Sequence, residues 1–579
     1  MIKRSLDKLL AEGHGKQLII LIALSLICVV IAISIAYFVF DDDVLQWQDV
    51  VGLFLDPGVF GGFKNAGHDW FRLILALLSV FLFSALLVSV FTNVFENISV
   101  SVRDGHRRYK LKNHVMILGG SHRIKGVLEA LLEENKTVVI LSEKNPNFAG
   151  DYIFYQGKRD SKNDLLSARV EFAQTVYIVG EDDEKSHDAR NLMALDYLTE
   201  ICSNADHDIH CYITVCEQST VEIFQYFKAK VSGRLLLVDI INDYEYEAEQ
   251  LLVNTDFLPI INSDSENYSQ IIIIGTGPAA QAVAYTVAHL SHYPNYTTKG
   301  LKTCITFISK DMKEWMDKFV AARPGLFELS EYSYISPSGE RQSYIPSGSY
   351  GDFLDIKWEF IDTYDTSTLA TKYIKETALN SQVITTVFVC HNESRTNIES
   401  VLHLPREVFS AYGKNVHNIA VYLRDSQNLI TLANETNMYG TLTTFGDNFT
   451  TDRLMNRRSK YGKRVNYVYD KAYGNPPSKN EEEAWYKIPE AHKYSSICCA
   501  NAMFLRQLCY NLQGERLPIY EAEHRRWMMS VLLMGYRYGE TTDRKKYIHA
   551  DIIPFKELPP SEQDKDKILI DAINEILAD

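Results

Sequence analysis

The sequence lacks the short motifs that identify common catalytic sites. It has no nucleophile elbow of the G-x-S-x-G type, no H-E-x-x-H pair and no P-loop. Cysteine is sparse, with nine scattered residues and no C-x-x-C pair. This pattern argues against a disulfide framework and against a zinc knuckle, and it fits a reducing cytoplasm. We therefore expect a protein that is not an enzyme.

Positive charge is also in deficit. The chain has 59 lysines and arginines against 74 aspartates and glutamates, a net charge of −15. A general nucleic-acid binder needs a basic face, so we expect no nucleic-acid partner. The apolar fraction of 46% and the charged fraction of 23% are those of folded protein. A length of 579 residues suggests about three to four domains.

Charge is absent from two long stretches, Leu18–Phe40 with 23 residues and Leu73–Val94 with 22 residues. A helix rises about 1.5 Å per residue and the hydrocarbon core is about 30 Å thick, so each stretch can cross a bilayer once. We predict transmembrane helices over 18–40 and 73–98. The first stretch is too long for the apolar part of a signal peptide, and aspartates follow it where small cleavage-site residues would stand.

The flanking charges predict the orientation. Basic residues lie in the N-terminal segment 1–17 and after the second stretch: Lys3, Arg4, Lys8, Lys16, Arg103, Arg107, Arg108, Lys110 and Lys112. Six aspartates and a single lysine lie between the two stretches. The positive-inside rule therefore predicts a multi-pass protein of the cell (inner) membrane, with both termini and the bulk of the chain in the cytoplasm.

A short apolar segment lies between the two stretches. Val44–Leu55 has 12 residues, about 18 Å of helix or half a bilayer. Pro57 cannot continue a helix, and the glycines that follow let the backbone fold back at close quarters: Gly58, Gly61 and Gly62. A re-entrant segment over 44–69 between two spans is the layout of a pore subunit. The alternative is an extracellular loop with an amphipathic turn on the membrane surface.

Strands and helices alternate about every 25 residues after a basic connector over 99–113, which predicts α/β domains with parallel sheets covered on both faces. The first domain, 114–262, opens like a Rossmann unit, and its second strand ends at Glu143. The dinucleotide fingerprint is imperfect, because Ser121 and Ile124 stand where it requires glycine. Either the turn binds an anion through backbone amides or it is purely structural, and its glycines are Gly119, Gly120 and Gly126.

The second α/β domain, 268–471, has a better fingerprint. Gly275, Gly277 and Ala280 match G-x-G-x-x-A between a strand and a helix. The next strand ends at Asp311, which lies later than the usual ribose carboxylate. The pattern suggests a nucleotide ligand, NAD or a nucleotide second messenger, and an empty structural fold is the alternative.

An acidic run follows a predicted strand of the first domain, and its candidate metal ligands are Glu181, Asp182, Asp183 and Asp188. Hard cations need several oxygen ligands, so the run is a candidate Ca²⁺ site. Acidic residues near a helix N-terminus also oppose the helix dipole, which requires no ligand.

A linker over 472–484 precedes a mainly helical C-terminal domain, 485–579. Its aromatic rings lie close in sequence to basic residues, a combination that suits a nucleotide with a stacked base and a paired phosphate. The candidate ligand-binding residues are His524, Trp527, Tyr536, Tyr538, Asp543, Lys546 and His549. In the alternative, Trp527 and Val531 share a helical face and fill a small core.

The spacing of these residues with Gly535, Gly539, Pro554, Phe555, Leu558 and Asp566 resembles the repeat domain of ryanodine receptors. Tyr536 and Phe555 depart from the usual Trp and Tyr of that pattern, and Ala550 stands where proline is common.

Residues 1 to about 260 resemble the CASTOR/POLLUX ion channels. The similar stretches are "LFLDPG", "VRDGHRRYKLKNHVMILGGSHRIKG" and "KNDLLSARVEFAQTVYIVGEDDEKSHDAR". The resemblance implies a homotetrameric, ligand-gated cation channel with tandem RCK (TrkA-N-like) domains. In such a ring Asp56 would contribute four carboxylates near the axis and attract permeating cations. The T-V-G-Y-G filter of potassium channels is missing, so potassium selectivity does not follow.

Three other functions fit the same features. The cytoplasmic domains could form a membrane-anchored, nucleotide-sensing regulator of a separate transporter. The Rossmann units could carry an NAD-dependent enzyme, although no catalytic residue near either fingerprint suggests one. The chain could also be a defence effector that disrupts membranes without selective conduction.

Overall fold

The computed structural model describes residues 14–39, 47–56, 66–182, 184–217, 220, 236–253, 257–346, 350–409, 416–424, 442–446 and 453–578. They form two compact units, residues 1–108 and 109–579. Each unit is described by itself.

The described residues of the N-terminal unit form three helices. They are α1 (His14–Val39), α2 (Trp47–Leu55) and α3 (Ala66–Arg103). Small and branched side chains pack where they meet: Ala32, Ala36, Val50, Leu53, Leu75 and Ala76. Within the part of the chain that the structure describes, no helix has the length and apolarity needed to cross a membrane. The predicted spans stay a prediction.

The predicted pore segment is described only in part. Helix α2 covers residues 47–55 of the predicted 44–55. The Asp56 N–H donates to the Gly52 carbonyl at 2.8 Å, so Asp56 continues the helical hydrogen bonding, and its side chain is exposed. Four predicted filter residues lie outside the described residues: Pro57, Gly58, Gly61 and Gly62.

The second unit begins with a parallel sheet in the order β3-β2-β1-β4-β5-β6. Its strands are β1 (His114–Leu118), β2 (Val138–Ser142), β3 (Ile153–Gln156), β4 (Ala173–Ile178), β5 (Ile209–Val215) and β6 (Leu236–Asn242). The helices are α4 (Lys125–Glu133), α5 (Lys162–Ser167), α6 (His187–Ile201) and α7 (Asp243–Val253). Val115 and Ile117 of β1 enter one hydrophobic core and Met116 and Leu118 enter another. Strands buried on both faces explain the continuous apolar runs.

A second sheet repeats this order and extends it. Its order is β10-β9-β11-β8-β7-β12-β13-β14. The strands are β7 (Tyr268–Ile274), β8 (Thr303–Ser309), β9 (Tyr332–Ile335), β10 (Arg341–Tyr344), β11 (Ile356–Asp362), β12 (Val383–Val389), β13 (Val416–Tyr422) and β14 (Leu442–Phe445). The described pairs are parallel except β9–β10, an antiparallel hairpin added at the edge. The predicted α/β class with parallel sheets is confirmed.

The helices that accompany the second sheet are α8 (Pro278–Leu290), α9 (Asn295–Lys299), α10 (Met312–Ala322), α11 (Pro324–Phe327), α12 (Thr368–Leu379), α13 (Ser394–Leu402) and α14 (Arg406–Phe409). Ile271 and Ile273 of β7 face one core, and Ile272 and Ile274 face the other. Helices therefore cover both faces of this sheet as well.

The C-terminal part is mainly helical. It contains α15 (Arg453–Tyr473), α16 (Glu481–Lys487), α17 (Glu490–Cys509), α18 (Leu517–Leu533), α19 (Pro560–Asp571) and α20 (Ile573–Ile576), with a small ribbon of β15 (Arg537–Tyr538) and β16 (Ile548–His549). Helix α15 packs on these helices through Tyr461, Val465 and Val468. The predicted boundary at 471 thus falls inside a continuous helix. Met528 and Leu532 of α18 belong to the same core as the second sheet.

Candidate functional site

The glycine turn of the first sheet is closely packed. Gly119 has φ +117°, and a Cβ there would lie 2.0 Å from the Gly180 carbonyl oxygen. Only glycine tolerates both the conformation and the contact. The turn therefore brings the ends of β1 and β4 together, at the point where a Rossmann fold binds its ligand.

Acidic side chains of the same chain occupy the backbone amides at this turn. The Gly120 N–H donates to Glu181 at 3.0 Å, and the His122 N–H donates to Asp182 at 3.1 Å. The hydroxyl of Ser142 donates to Glu181 at 2.9 Å, and that of Ser121 donates to Asp182 at 2.7 Å. Burial raises the pKa of Glu181 although these hydrogen bonds favour its charged form. The carboxylates take the position that a phosphate would need.

Glu143, another nucleotide-binding candidate of this domain, also contacts protein groups. Glu143 forms an ion pair with Arg190 at 2.6 Å. Arg190 also binds both oxygens of Asp160 at 2.8 Å and contacts Glu184. Hydrogen bonds from Arg190 lower the pKa of Asp160. Gly126 is the second residue of α4 and lies in the first turn of that helix.

Asp188 is the last of the candidate Ca²⁺ ligands that the structure describes. Its carboxylate accepts N–H groups from Cys216 at 2.9 Å and Glu217 at 3.0 Å, and it contacts the His187 ring at 2.9 Å. Burial opposes a charged imidazole, yet Asp188 and Cys216 raise the pKa of His187 to about 10. Asp183 lies outside the described residues. The described acids bind protein donors, and Ca²⁺ binding stays a prediction.

At the glycine turn of the second sheet, an asparagine side chain lies where the first sheet has acidic side chains. A Cβ at Gly275, whose φ is +115°, would lie 2.5 Å from the Cys390 carbonyl oxygen. A Cβ at Gly277 would lie 1.9 Å from the amide oxygen of Asn392. Ala280 is fully buried in the core. The Asn392 side chain thus lies over Gly277 at the start of α8.

The predicted ribose carboxylate lies at the surface. Asp311 has φ +59° and stands at the N-terminus of α10, without a capping hydrogen bond from its side chain. Its carboxylate is 3.9 Å from Lys310, and both side chains are more than half exposed. The described geometry leaves its predicted role untested.

The described residues form a cavity in the C-terminal part, with a volume of about 330 Å³. It lies among α15, α17, α18, α19 and the segment after α18. The polar and aromatic residues that line it are Asn466, Tyr469, His492, Ser495, Ser496, Glu523, His524, Arg526, Trp527, Tyr536, Arg544, His549, Asp551, Glu562, Lys565 and Asp566. Small-molecule sites are commonly concave pockets of this size, with a few polar groups among apolar and aromatic ones.

Stacked rings form one wall of the cavity. The Trp527 ring lies 5.5 Å from the His524 ring at an interplanar angle of 20°. The His549 ring meets Trp527 edge-on at 4.9 Å. His524 is held by Asp566 at 3.0 Å and by the Ile553 carbonyl at 2.9 Å. These contacts hold the rings in a fixed arrangement.

Charges of both signs line the cavity. Burial and the neighbouring Arg544 lower the pKa of His549 to about 4, so this ring is neutral near pH 7. Burial raises the pKa of Asp566 despite its bond to His524. Lys565 pairs with Glu562 at 2.5 Å, whereas Arg544 is exposed. The cavity therefore combines an aromatic wall, an accessible cation and carboxylate acceptors.

Four of the predicted residues line the cavity: His524, Trp527, Tyr536 and His549. The remaining three, Tyr538, Asp543 and Lys546, are outside its lining. Asp543 caps a short 3-10 turn through the Lys545 N–H and pairs with Lys546 at 3.4 Å. Tyr469 and His492 line the cavity from α15 and α17, and sequence reasoning missed them. Only the helical face that they share with buried neighbours could have indicated them.

Buried polar contacts connect the helices around the cavity to both sheets. Asp239 of β6 accepts hydrogen bonds from Trp485 at 3.2 Å and Tyr486 at 3.0 Å, and Lys493 of α17 lies 3.5 Å from it. Asp355, just before β11, pairs with Arg525 of α18 at 2.9 Å and with His292 at 2.9 Å. A shift of α17 or α18 must therefore alter contacts to a sheet.

No protein-family model and no curated protein matches the chain. Among solved structures it is similar to the GsuK channel bound to NAD, with 9% identity, a TM-score of 0.40, and coverage of 78% of this chain and 86% of that one. The similarity to GsuK bound to ADP has 12% identity and a TM-score of 0.37, and it covers 75% of this chain and 96% of that one. The similarity to the human SLO3 gating ring has 11% identity and a TM-score of 0.36, and it covers 57% of this chain and 80% of that one. These TM-scores are too low to assign a function. The resemblances to CASTOR/POLLUX channels and to the ryanodine-receptor repeat stay predictions.

Proposed function

We propose that this chain is a subunit of a homotetrameric, ligand-gated cation channel of the cell membrane, and not an enzyme. In this proposal, the apolar stretches 18–40 and 73–98 cross the membrane around the re-entrant segment 44–69. Two RCK-type α/β domains and the C-terminal helices lie in the cytoplasm and control the pore. The connector 99–113 joins the two parts in sequence.

The membrane role is supported by apolar residues on the outside of the N-terminal unit. Large side chains of α1 and α3 are exposed, among them Val30 at 61%, Phe38 at 82% and Phe81 at 75%. Soluble monomers rarely expose contiguous apolar surface of this kind, because water disfavours it. Lipid and neighbouring subunits would cover these faces in a channel.

The C-terminal cavity is the observation that carries the ligand-gated part. A purine or pyrimidine ring fits against Trp527, since base–aromatic stacking contributes about 1–3 kcal/mol. Arg544 offers a positive charge to a phosphate. The carboxylates of Asp551 and Glu562 line the same cavity and can accept hydrogen bonds from base or ribose. We therefore propose a nucleotide as the gating ligand.

Gating requires that the ligand prefer one arrangement of the cytoplasmic part. A ligand shifts an equilibrium only by its difference in affinity for the two states. The contacts of Lys493 with Asp239 and of Arg525 with Asp355 give the cavity helices a route to the sheets. Loss or reorganisation of these buried pairs would distinguish the two states.

Flux measurements test the proposal. The full chain is reconstituted into liposomes, and cation flux is recorded while nucleotides are titrated. We expect flux that depends on a nucleotide, and a rise of about tenfold in the half-maximal concentration for Trp527→Ala. Tyr538→Ala is the matched control, because Tyr538 is aromatic, nearby and outside the cavity lining.

The other outcomes separate the alternatives. An absence of flux under every ligand would indicate a membrane-anchored regulator, and a large non-selective leak would indicate a membrane-disrupting effector. Flux that responds to Ca²⁺ alone would reject the nucleotide. Asp56→Asn should reduce divalent permeation or block; unchanged permeation would place Asp56 outside the filter.

A further inference from the structure

A second polar cluster lies in the first α/β domain, at the carboxyl ends of β4, β5 and β6. It consists of His187 and Asp188 at the start of α6, Cys216 after β5 and Asp243 after β6. The Cys216 sulfur lies 3.6 Å from the Nδ1 atom of His187 and 3.9 Å from Asp243. The Asp188 carboxylate lies 2.9 Å from the same ring nitrogen.

The spacing of these atoms suits a tetrahedral metal. Ligand atoms of His187, Asp188 and Cys216 all lie within 4.8 Å of one another. A zinc ion about 2.3 Å from sulfur and about 2.0 Å from nitrogen would separate those two atoms by about 3.5 Å. The observed sulfur–nitrogen distance is 3.6 Å. Small side-chain shifts are therefore enough to admit the ion.

The ligands are already held by other groups, as in metal sites. Nε2 of His187 lies 2.9 Å from the Val179 carbonyl oxygen and can donate to it, which leaves Nδ1 as the metal-facing atom. A Cβ at Gly180 would lie 2.5 Å from the His187 ring, so this glycine makes room for the imidazole. Two backbone N–H groups, those of Cys216 and Glu217, orient the Asp188 carboxylate.

Asp243 supplies an independent observation. Its side chain is 1% exposed; Oδ2 pairs with Arg123 and is the oxygen 3.9 Å from the Cys216 sulfur, and within the described residues Oδ1 has no hydrogen-bond partner. Burying a carboxylate oxygen without a partner costs free energy. Water bound to a metal ion beside Cys216 would supply the partner that Oδ1 lacks.

We infer that His187, Asp188 and Cys216 bind a divalent transition metal of the zinc class, with Asp243 beside the fourth coordination position. Thiolate and imidazole ligands favour Zn²⁺ over Ca²⁺, which prefers oxygen. On binding, the proton on Nδ1 and the thiol proton pass to water, and the metal takes their place. The ion links the segments that follow β4 and β5, so it would stiffen this edge of the sheet. The inference does not depend on channel activity.

Metal uptake by the purified full chain tests the site. The chelator-treated protein is dialysed against Zn²⁺ and metal is counted by mass spectrometry; we expect about one ion per chain at this site. Co²⁺ should give a thiolate-to-metal absorption band that Cys216→Ser abolishes. Cys390→Ser is the matched control, because Cys390 also directly follows a strand end, in the second sheet, and should keep the band.

A measurement on the unmodified chain guards against a variant that fails to fold. Cys216 is partly exposed, so an alkylating reagent should label it and Zn²⁺ should suppress that labelling at least tenfold. The other cysteines should show the same labelling with and without the metal. The inference is overturned if the chain takes up no Zn²⁺, if Cys216 labelling is unchanged, or if the two serine variants behave alike.

Discussion

A buried ion-pair group beside the cavity allows a quantitative prediction. Glu523 of α18 lies between Arg506 of α17 and Arg526 of its own helix. The Arg526 Nη2 atom is 2.7 Å from the carboxylate, and the three side chains are at most 2% exposed. Glu523→Gln keeps the shape of the side chain and removes its charge. Two guanidinium groups would then lie in the core without a counter-charge.

Two independent estimates give the size of the effect. Burial opposes ionisation of Glu523, but Arg526 and Arg506 outweigh it and lower its pKa from 4.5 to about 2. At about 1.36 kcal/mol per pH unit, that difference is about 3 kcal/mol of stability. Removing one partner of a buried ion pair costs about 3–5 kcal/mol. We therefore expect Glu523→Gln to lower the free energy of unfolding by about 3–5 kcal/mol.

Chemical denaturation of the full chain at pH 7 measures the loss. Glu482→Gln is the control, because Glu482 pairs with Lys463 at 2.6 Å but its side chain is 59% exposed. An exposed pair contributes below about 1 kcal/mol. The stabilisation by Glu523 is complete above pH 4.5 and is lost as the pH falls toward 2, so the variant should lack that dependence. Equal losses for the two variants would refute the reasoning.

Three further predictions concern separate parts of the second unit. Gly119→Ala should lower the free energy of unfolding by about 3 kcal/mol in thermal or chemical denaturation, because it adds positive-φ strain to a clash with the Gly180 carbonyl. The control is Gly300→Ala, which has φ +69° and open space around it and should lower it by about 1 kcal/mol. Similar losses for the two variants would refute the packing argument. His549 has a folded pKa of about 4 against an ordinary 6.5, so the unfolded chain binds more protons between these values. Stability should fall as the pH drops from 6.5 to 4, less steeply in His549→Gln; identical pH curves would contradict it. Asp239→Asn should cost about 3 kcal/mol by loss of its charge beside buried Lys493, and a loss below about 1 kcal/mol would show that this pair does not stabilise the contact between α17 and the first sheet.

The strands were predictable because their physical signal is local. Runs such as Ile271–Ile274 are continuously apolar, since helices cover both faces of the sheet. Glycine followed those strands where the chain turns at positive φ, as at Gly119 and Gly275. The Glu331–Ser349 stretch is rich in turn residues, and β9 and β10 within it form an antiparallel hairpin.

The side chains that contact the glycine turns after β1 and β7 could not be predicted in the same way. Glu181 and Asp182 are 61 and 60 positions along the chain from the amides of the β1 turn that they bind. A motif identifies the amides but says nothing about which distant side chain will reach them. The same limit applies to Asn392 over Gly277 and to Tyr469 in the cavity wall.

In the proposed function, a ligand in the cavity would affect the contacts of α18 with the second sheet. Arg526 lines the cavity and pairs with Glu523, while the adjacent Arg525 pairs with Asp355 of the second sheet. A ligand atom that hydrogen-bonded Arg526 would compete with Glu523 for it, and a rotation of α18 that relieved this competition would displace Arg525 as well. Packed cores respond to such changes by switching between discrete arrangements, because they deform little. In the proposed function, ligand binding and sheet contacts would thus be linked through adjacent arginines on one helix.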